Sequence, residues 1–231
     1  MKKITFLLAI LFFSNCFAFA QDAQLNRELL SIGPYVALKA GVNGSNVQEG
    51  RKNGISFNGI PDAGISCFIP LGNEGNLVLF ADLGYSRYTF NIIGVGKNDS
   101  YTNEYSYITL SPNFQFGYFR IGFNLGIPLT GKVVDDVKTS SMNYLAEFKL
   151  TGWYPLIEDE DGKLTVFLTG SYMMTGIFLD YAKDDPLKKQ IPQIPVDYTT
   201  NKFNLRALSV SLGINYLFNF NQYSTTEAVT E

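Results

Sequence analysis

The chain has 231 residues, 46% hydrophobic and 15% aromatic, and its 18 basic against 21 acidic side chains give a net charge of −3 at pH 7. That balance excludes a nucleic-acid binder, which needs a basic face. The absence of histidine removes the usual catalytic base and the commonest metal ligand.

In chain order the first element is an export signal. Lys2 and Lys3 supply a basic start, Ile4 to Phe13 an apolar run, and Ala18-Phe19-Ala20 a small-x-small exit, so residues 1–20 read as a signal peptide cleaved after Ala20. The apolar run is too short to anchor the chain across a bilayer about 30 Å thick. Ser14-Asn15 ahead of Cys16 lacks the small apolar residues of a lipoprotein signal. Cleavage removes Lys2, Lys3 and Cys16, which makes the mature chain more acidic and leaves Cys67, too few cysteines for an internal disulfide. Residues 21–33 read as a short periplasmic N-terminal segment.

Eight strands follow, each with the period-two alternation of a sheet with one apolar face. The first spans Tyr35 to Asn43, the second Asp62 to Ile69, and the third Leu77 to about Tyr88. The fourth spans Tyr105 to Phe116, where Pro112 cannot donate to the ladder and predicts a bulge. The fifth is the cleanest, with Phe119, Ile121, Phe123, Leu125, Ile127 and Leu129 alternating with Arg120, Gly122, Asn124 and Gly126. The sixth runs from about Met142 to Tyr154, the seventh from Leu164 to about Tyr181, and the eighth from about Phe203 to Phe218. Most of these match the roughly ten residues a tilted strand needs to cross the hydrocarbon layer, whereas sandwich strands average about five or six.

The connections alternate in length, as they do in outer-membrane barrels. Long loops are expected at Gly44–Gly59, Asn91–Glu104, Gly131–Ser141 and Ala182–Lys202. Short turns are expected at Leu71–Asn76, near Gly117-Tyr118, and in the acidic stretch Pro155–Lys163. Asn43-Gly44 and Asn53-Gly54 read as loop turns, and Pro186, Pro192, Pro195 and Lys188-Lys189 mark an exposed loop. The expected fold is all-β: an eight-stranded antiparallel up-and-down transmembrane β-barrel over residues 34–218, followed by a polar C-terminal tail, 219–231.

Periodicity alone does not separate such a barrel from a soluble sandwich, because both alternate. The polar face decides for the barrel. Gly41, Gly64, Gly84, Gly122, Gly126 and Gly213 lie on it, where they would weaken a solvent face but make room inside a narrow cylinder. Lys39, Arg120 and Lys149 share that face with Asp62, Asp82 and Glu147, three charges of each sign. On lipid a midplane Lys or Arg would cost about 2 to 4 kcal/mol, so these six are expected to form a polar network in the lumen. Tyr85, Tyr144, Tyr154, Tyr172, Tyr216 and Phe218 are candidates for interfacial girdles.

Three stretches carry a resemblance: AGISCFIPLGNEGNLVLFADLGYSRY, FRIGFNLGIPLTG and LSVSLGINYLF. With them the chain resembles the small porin-family or PorT-like outer-membrane barrels of Bacteroidota, from Pro34 to Phe218. Asp82 stands where that family carries an acid within its Leu-Tyr-Ser strand. The tail beyond Phe218 departs from barrels that end on the closing aromatic, so an assembly signal would be internal, at Gly213 to Phe218. The resemblance implies the outer membrane of a Gram-negative cell and, as partners, outer-membrane lipids and envelope or secretion-system proteins, including gliding and secretion translocons.

An eight-stranded interior is just wide enough to be filled by side chains, so a structural or interaction role is expected ahead of a narrow small-solute channel or ligand-binding barrel. An outer-membrane enzyme is the least favoured reading. Asp135-Asp136 and Asp184-Asp185 are adjacent acids on loops, and Glu158-Asp159-Glu160-Asp161 lacks the spacing of a calcium loop. No catalytic residue, cofactor or metal site is expected.

Overall fold

The computed structural model describes residues 30–47, 49–71, 77–95, 100–133, 135–159, 161–180, 184, 186 and 203–220. The leader, nearly all of the N-terminal segment, the turn after Leu71, most of the longest loop and the tail from 221 fall outside the described residues.

Ten strands form one closed antiparallel sheet: β1 (Ser31–Asn43), β2 (Arg51–Phe57), β3 (Asp62–Leu71), β4 (Leu77–Gly94), β5 (Ser100–Phe116), β6 (Phe119–Lys132), β7 (Asp136–Val137), β8 (Leu145–Glu158), β9 (Gly162–Met173) and β10 (Ala207–Asn219). Closure comes from β1 and β10, which pair from Ser31↔Asn219 to Asn43↔Ala207. The ring has eight staves. β2 and β3 are two halves of one, since both pair with β1 and with β4, and β7 is a two-residue spur on β6. This is the eight-stranded antiparallel up-and-down barrel expected from the sequence, with both chain ends of the barrel at the short-turn end.

The polarity of the wall is inverted relative to a soluble domain. Along β6 from Phe119 to Ile127 and β10 from Leu208 to Asn215 burial alternates residue by residue, with the polar and glycine positions buried and the aliphatic and aromatic ones out. Leu125 is 49% exposed and Val210 54% exposed. Inside, Gly64 and Gly84 face each other across β3 and β4. A Cβ on Gly84 would lie 2.4 Å from the Tyr35 hydroxyl, so the bare backbone makes room for that ring. Gly117 turns β5 into β6 with φ of +54°, a left-handed conformation that favours glycine.

Several boundaries differ from the sequence expectation. Arg51–Phe57, placed in a loop, is strand β2, and Asn53-Gly54 pairs with Ile92 and Asn91 rather than turning. β2 is little buried and its only apolar alternation is Ile55 and Phe57, too short to mark a strand; its backbone pairing to β4 defines it. The loop expected at Asn91–Glu104 is mostly a hairpin, because β4 and β5 continue to Ile93↔Ser100. The sixth to eighth strands are shorter at the loop end, starting at Leu145, ending at Met173 and starting at Ala207. The expected bulge at Pro112 is absent. Pairing to β6 lapses over Ser111 and Pro112 and resumes at Asn113↔Gly122 in unchanged register. The register shifts instead between Ser106 and Tyr107, opposite Pro128, and again between Pro155 and Ile157. A missing N–H therefore costs ladder bonds at Pro112 without inserting a residue.

Candidate functional site

The six charged residues singled out in the sequence all line one cavity of ≈ 50 Å³ inside the barrel. That is room for a few waters. Five of the six are connected through one chain of contacts, and the sixth stands apart.

The chain starts where the wall is broken. Between β2 and β3 the stave is interrupted at residues 58–61, and three groups repair it. The Asn58 backbone N–H donates to the Lys39 carbonyl at 2.9 Å and its side chain donates to the Arg87 carbonyl at 2.5 Å. Asp62 Oδ1 accepts the Arg87 backbone N–H at 2.9 Å. The other oxygen of Asp62 turns into the lumen, 2.5 Å from Lys39 Nζ and 2.9 Å from the Ser86 hydroxyl that donates to it. Asp62 thus patches the wall and compensates a buried lysine at once.

From Lys39 the contacts run onward. Its ammonium lies 4.0 Å from the Tyr88 ring centroid, a cation–π geometry. The Tyr88 hydroxyl donates to Glu147 Oε2 at 2.5 Å, and Asn124 Nδ2 donates to the same oxygen at 3.0 Å. Asn124 Oδ1 accepts from the Ser111 hydroxyl at 2.7 Å, and Lys149 Nζ donates to that hydroxyl at 3.3 Å. Lys149 is 3.7 Å from Asp82, whose other oxygen accepts from Ser66 at 2.7 Å.

Arg120 is separate. It lies at the short-turn end, with its guanidinium 3.6 Å from the Phe80 ring centroid and 5.1 Å from that of Trp153, and its Nε donates to Gln115 Oε1 at 2.9 Å. Among the described residues no carboxylate lies within ion-pair distance of it.

Above the polar tier, at the loop end, the lumen becomes apolar. Tyr88, Phe90 and Ile92 continue the inward face of β4, and Ile177 and Phe178 fold in from the segment after β9 to pack among Tyr105, Tyr107, Met142, Met173 and Leu205. Phe178 meets Tyr105 edge-on at 5.9 Å. Backbone bonds hold the inserted segment: Ile177 N donates to the Leu205 carbonyl at 2.9 Å, and Asn204 both accepts from and donates to the Phe178 backbone. This plug was missed in the sequence because residues 174–180 read there as the end of the seventh strand. Tyr88, Asn124, Ser111 and Ser86 were legible through parity, since each falls on the same face as a charged residue of its strand or of the neighbouring one.

The girdle candidates lie on the outer surface, with Tyr144, Tyr154, Tyr172 and Phe218 exposed. At the short-turn end Tyr118 stacks on Tyr154 and tilts against Trp153. The acidic turn there is held by Asp159, which accepts the N–H groups of Asp161 and Gly162, and by the Glu158–Lys163 ion pair at 2.8 Å. Asp136 forms part of β7, while Asp185 and Glu160 fall outside the described residues.

No family model matches the chain, and no curated protein matches it. Among solved structures it is similar to the translocator domain of the autotransporter NalP from Neisseria meningitidis, at 9% identity over 93% of this chain and 97% of that one, with a TM-score of 0.28. It is similar also to the outer membrane protein OprG from Pseudomonas aeruginosa, at 12% identity over 84% of this chain and 98% of that one, with a TM-score of 0.30. At identities and scores this low, the barrel rests on the strand pairing of the chain itself.

Proposed function

We propose that the chain is an integral outer-membrane β-barrel, exported by a cleaved signal peptide, with a structural or interaction role in the Gram-negative envelope. The observation that carries this reading is the inverted wall. Aliphatic residues such as Leu38, Leu125, Leu168, Val210 and Leu212 face outward around the cylinder, while Lys39, Asp62, Glu147 and Arg120 are buried within it. A closed barrel leaves no unpaired edge, which is what a chain needs to cross hydrocarbon by strands. Among the described residues no helix is long and apolar enough to do so instead.

The apolar plug and the small cavity favour a filled barrel over a narrow solute channel. We read the protein as a non-enzyme, since it offers no histidine to serve as a base. The finer reading, by resemblance to PorT-like barrels, is a subunit of a secretion or gliding translocon whose partners dock on the loops or the periplasmic rim.

Cell fractionation tests the location: the protein is expected in the outer-membrane fraction, migrating differently on gels before and after boiling. Recovery in the soluble periplasm would overturn it. Affinity purification in mild detergent tests the role, with stoichiometric envelope partners expected and a strictly solitary barrel counting against the interaction reading.

A further inference from the structure

The lumen charges are equal in number but unevenly placed. Lys39, Asp62 and Glu147 gather around Ser86 and Tyr88, nearer the loop end. Lys149, Asp82 and Arg120 lie nearer the short-turn end, where Lys149 meets Asp82 at 3.7 Å and Arg120, among the described residues, has no carboxylate within ion-pair distance. One positive charge is in excess there. Glu147 cannot answer it, because it stands four residues along β8 from Thr151, the register partner of Arg120, or roughly 13 Å. Arg120 is 5% exposed. Of its five N–H groups, the one on Nε donates to Gln115, and the four on Nη1 and Nη2 donate to no atom of the described residues. The Phe80 ring steadies the face of the guanidinium at 3.6 Å but offers these in-plane groups no acceptor. Both nitrogens stay open to water rather than sealed among side chains, and Arg120 lines the cavity. A buried cation with unmet donors is costly unless something compensates it.

We propose that the cavity beside Arg120 binds a monovalent inorganic anion of halide size, chloride, held by the Nη1 and Nη2 donors. Lys149 shares the inward face of β8 two residues from Thr151, roughly 7 Å along the strand, and its ammonium spends one of its three donors on Ser111. The anion therefore sits in the field of two cations. The nearby carboxylate, Asp82, is already engaged by Lys149 and Ser66. Thr151 and Thr169 also line the cavity, and their hydroxyls share a single hydrogen bond, which leaves one hydroxyl proton to turn towards the ion. The excess charge is one, which a monovalent ion cancels. A cavity of ≈ 50 Å³ takes that ion with a few waters and is too small for an organic anion. Bound there, chloride ties β6 to β8 through Arg120 and Lys149.

The experiment folds the purified protein in non-ionic detergent in sodium chloride or sodium gluconate at equal concentration, and reads the midpoint temperature at which folded gel migration is lost. Gluconate is too large for the cavity. Wild-type protein is expected to melt about 3 to 6 °C higher in chloride when that ion is about tenfold above its dissociation constant. Arg120→Met, which keeps an apolar stem against Phe80 and removes the charge and its donors, is expected to melt alike in both salts. Equal midpoints for the wild type would mean that water alone occupies the cavity, and an undiminished chloride response in Arg120→Met would place the anion elsewhere; either result overturns the proposal. Should Arg120→Met not fold, chloride-35 line broadening decides. Broadening by folded wild type that bromide competes away, and that weakens in Arg120→Lys, supports the site; no such broadening, or an unchanged affinity in Arg120→Lys, sinks it.

Discussion

Asp62 sits where the barrel wall is interrupted between β2 and β3, and its two oxygens serve different masters. One replaces a missing strand partner for the Arg87 N–H, and the other meets Lys39 and Ser86. Removing a buried partner strands the remaining charge, which costs about 3 to 5 kcal/mol. Asp62→Ala is therefore expected to lower stability by about that much in a denaturant titration. Asp82→Ala is expected to cost about 1 kcal/mol or less, because its lysine is 3.7 Å away and both side chains are partly exposed. Equal losses for the two would contradict the division of labour drawn here. The sequence placed both aspartates on the inward face but gave no sign that Asp62 repairs a break. That sign was hidden because the break itself lies between β3 and a strand, β2, whose apolar alternation is only Ile55 and Phe57.

At the scale of elements, legibility followed the regularity of alternation. β6 from Phe119 to Ile127 and β10 from Leu208 to Asn215 carry regular period-two patterns, and there their faces stand in the structure as the sequence places them. The extended β4–β5 hairpin was illegible for the opposite reason. Its residues beyond Tyr88, such as Asn91, Thr102 and Asn103, mix polar and apolar types on both faces, and backbone pairing holds them. The proline rule was sound and misplaced: Pro128 and Pro155 lie at the register shifts, whereas Pro112 interrupts pairing without one. Two predictions belong here. Leu125→Arg puts a charge on the outward face of β6 and is expected to destabilise the barrel in lipid by about 2 to 4 kcal/mol, measured by urea unfolding in vesicles; a neutral effect would argue against hydrocarbon contact there. Phe178→Ala empties part of the plug and is expected to cost about 3 to 5 kcal/mol, the range for truncating a buried Phe. An unchanged midpoint would show that the inserted segment does not pack in solution.

For the whole molecule, the closure of β1 on β10 and the inverted polarity describe one object, a cylinder filled from within and apolar without. In planar bilayers the wild-type protein is expected to be electrically silent, since the plug and side chains leave no continuous water path; stable unitary steps would favour the channel reading. The direction in which adjacent residues of one strand face is the most direct test of all. In a Cys67→Ser background, Val210→Cys and Ser211→Cys can each carry a nitroxide in reconstituted vesicles. The label at Val210 is expected to relax strongly with oxygen dissolved in the bilayer and weakly with a water-soluble nickel complex, while the label at Ser211 is shielded from oxygen. A label at Ser211 open to solvent, with Val210 shielded from both reagents, would contradict the barrel's inverted wall.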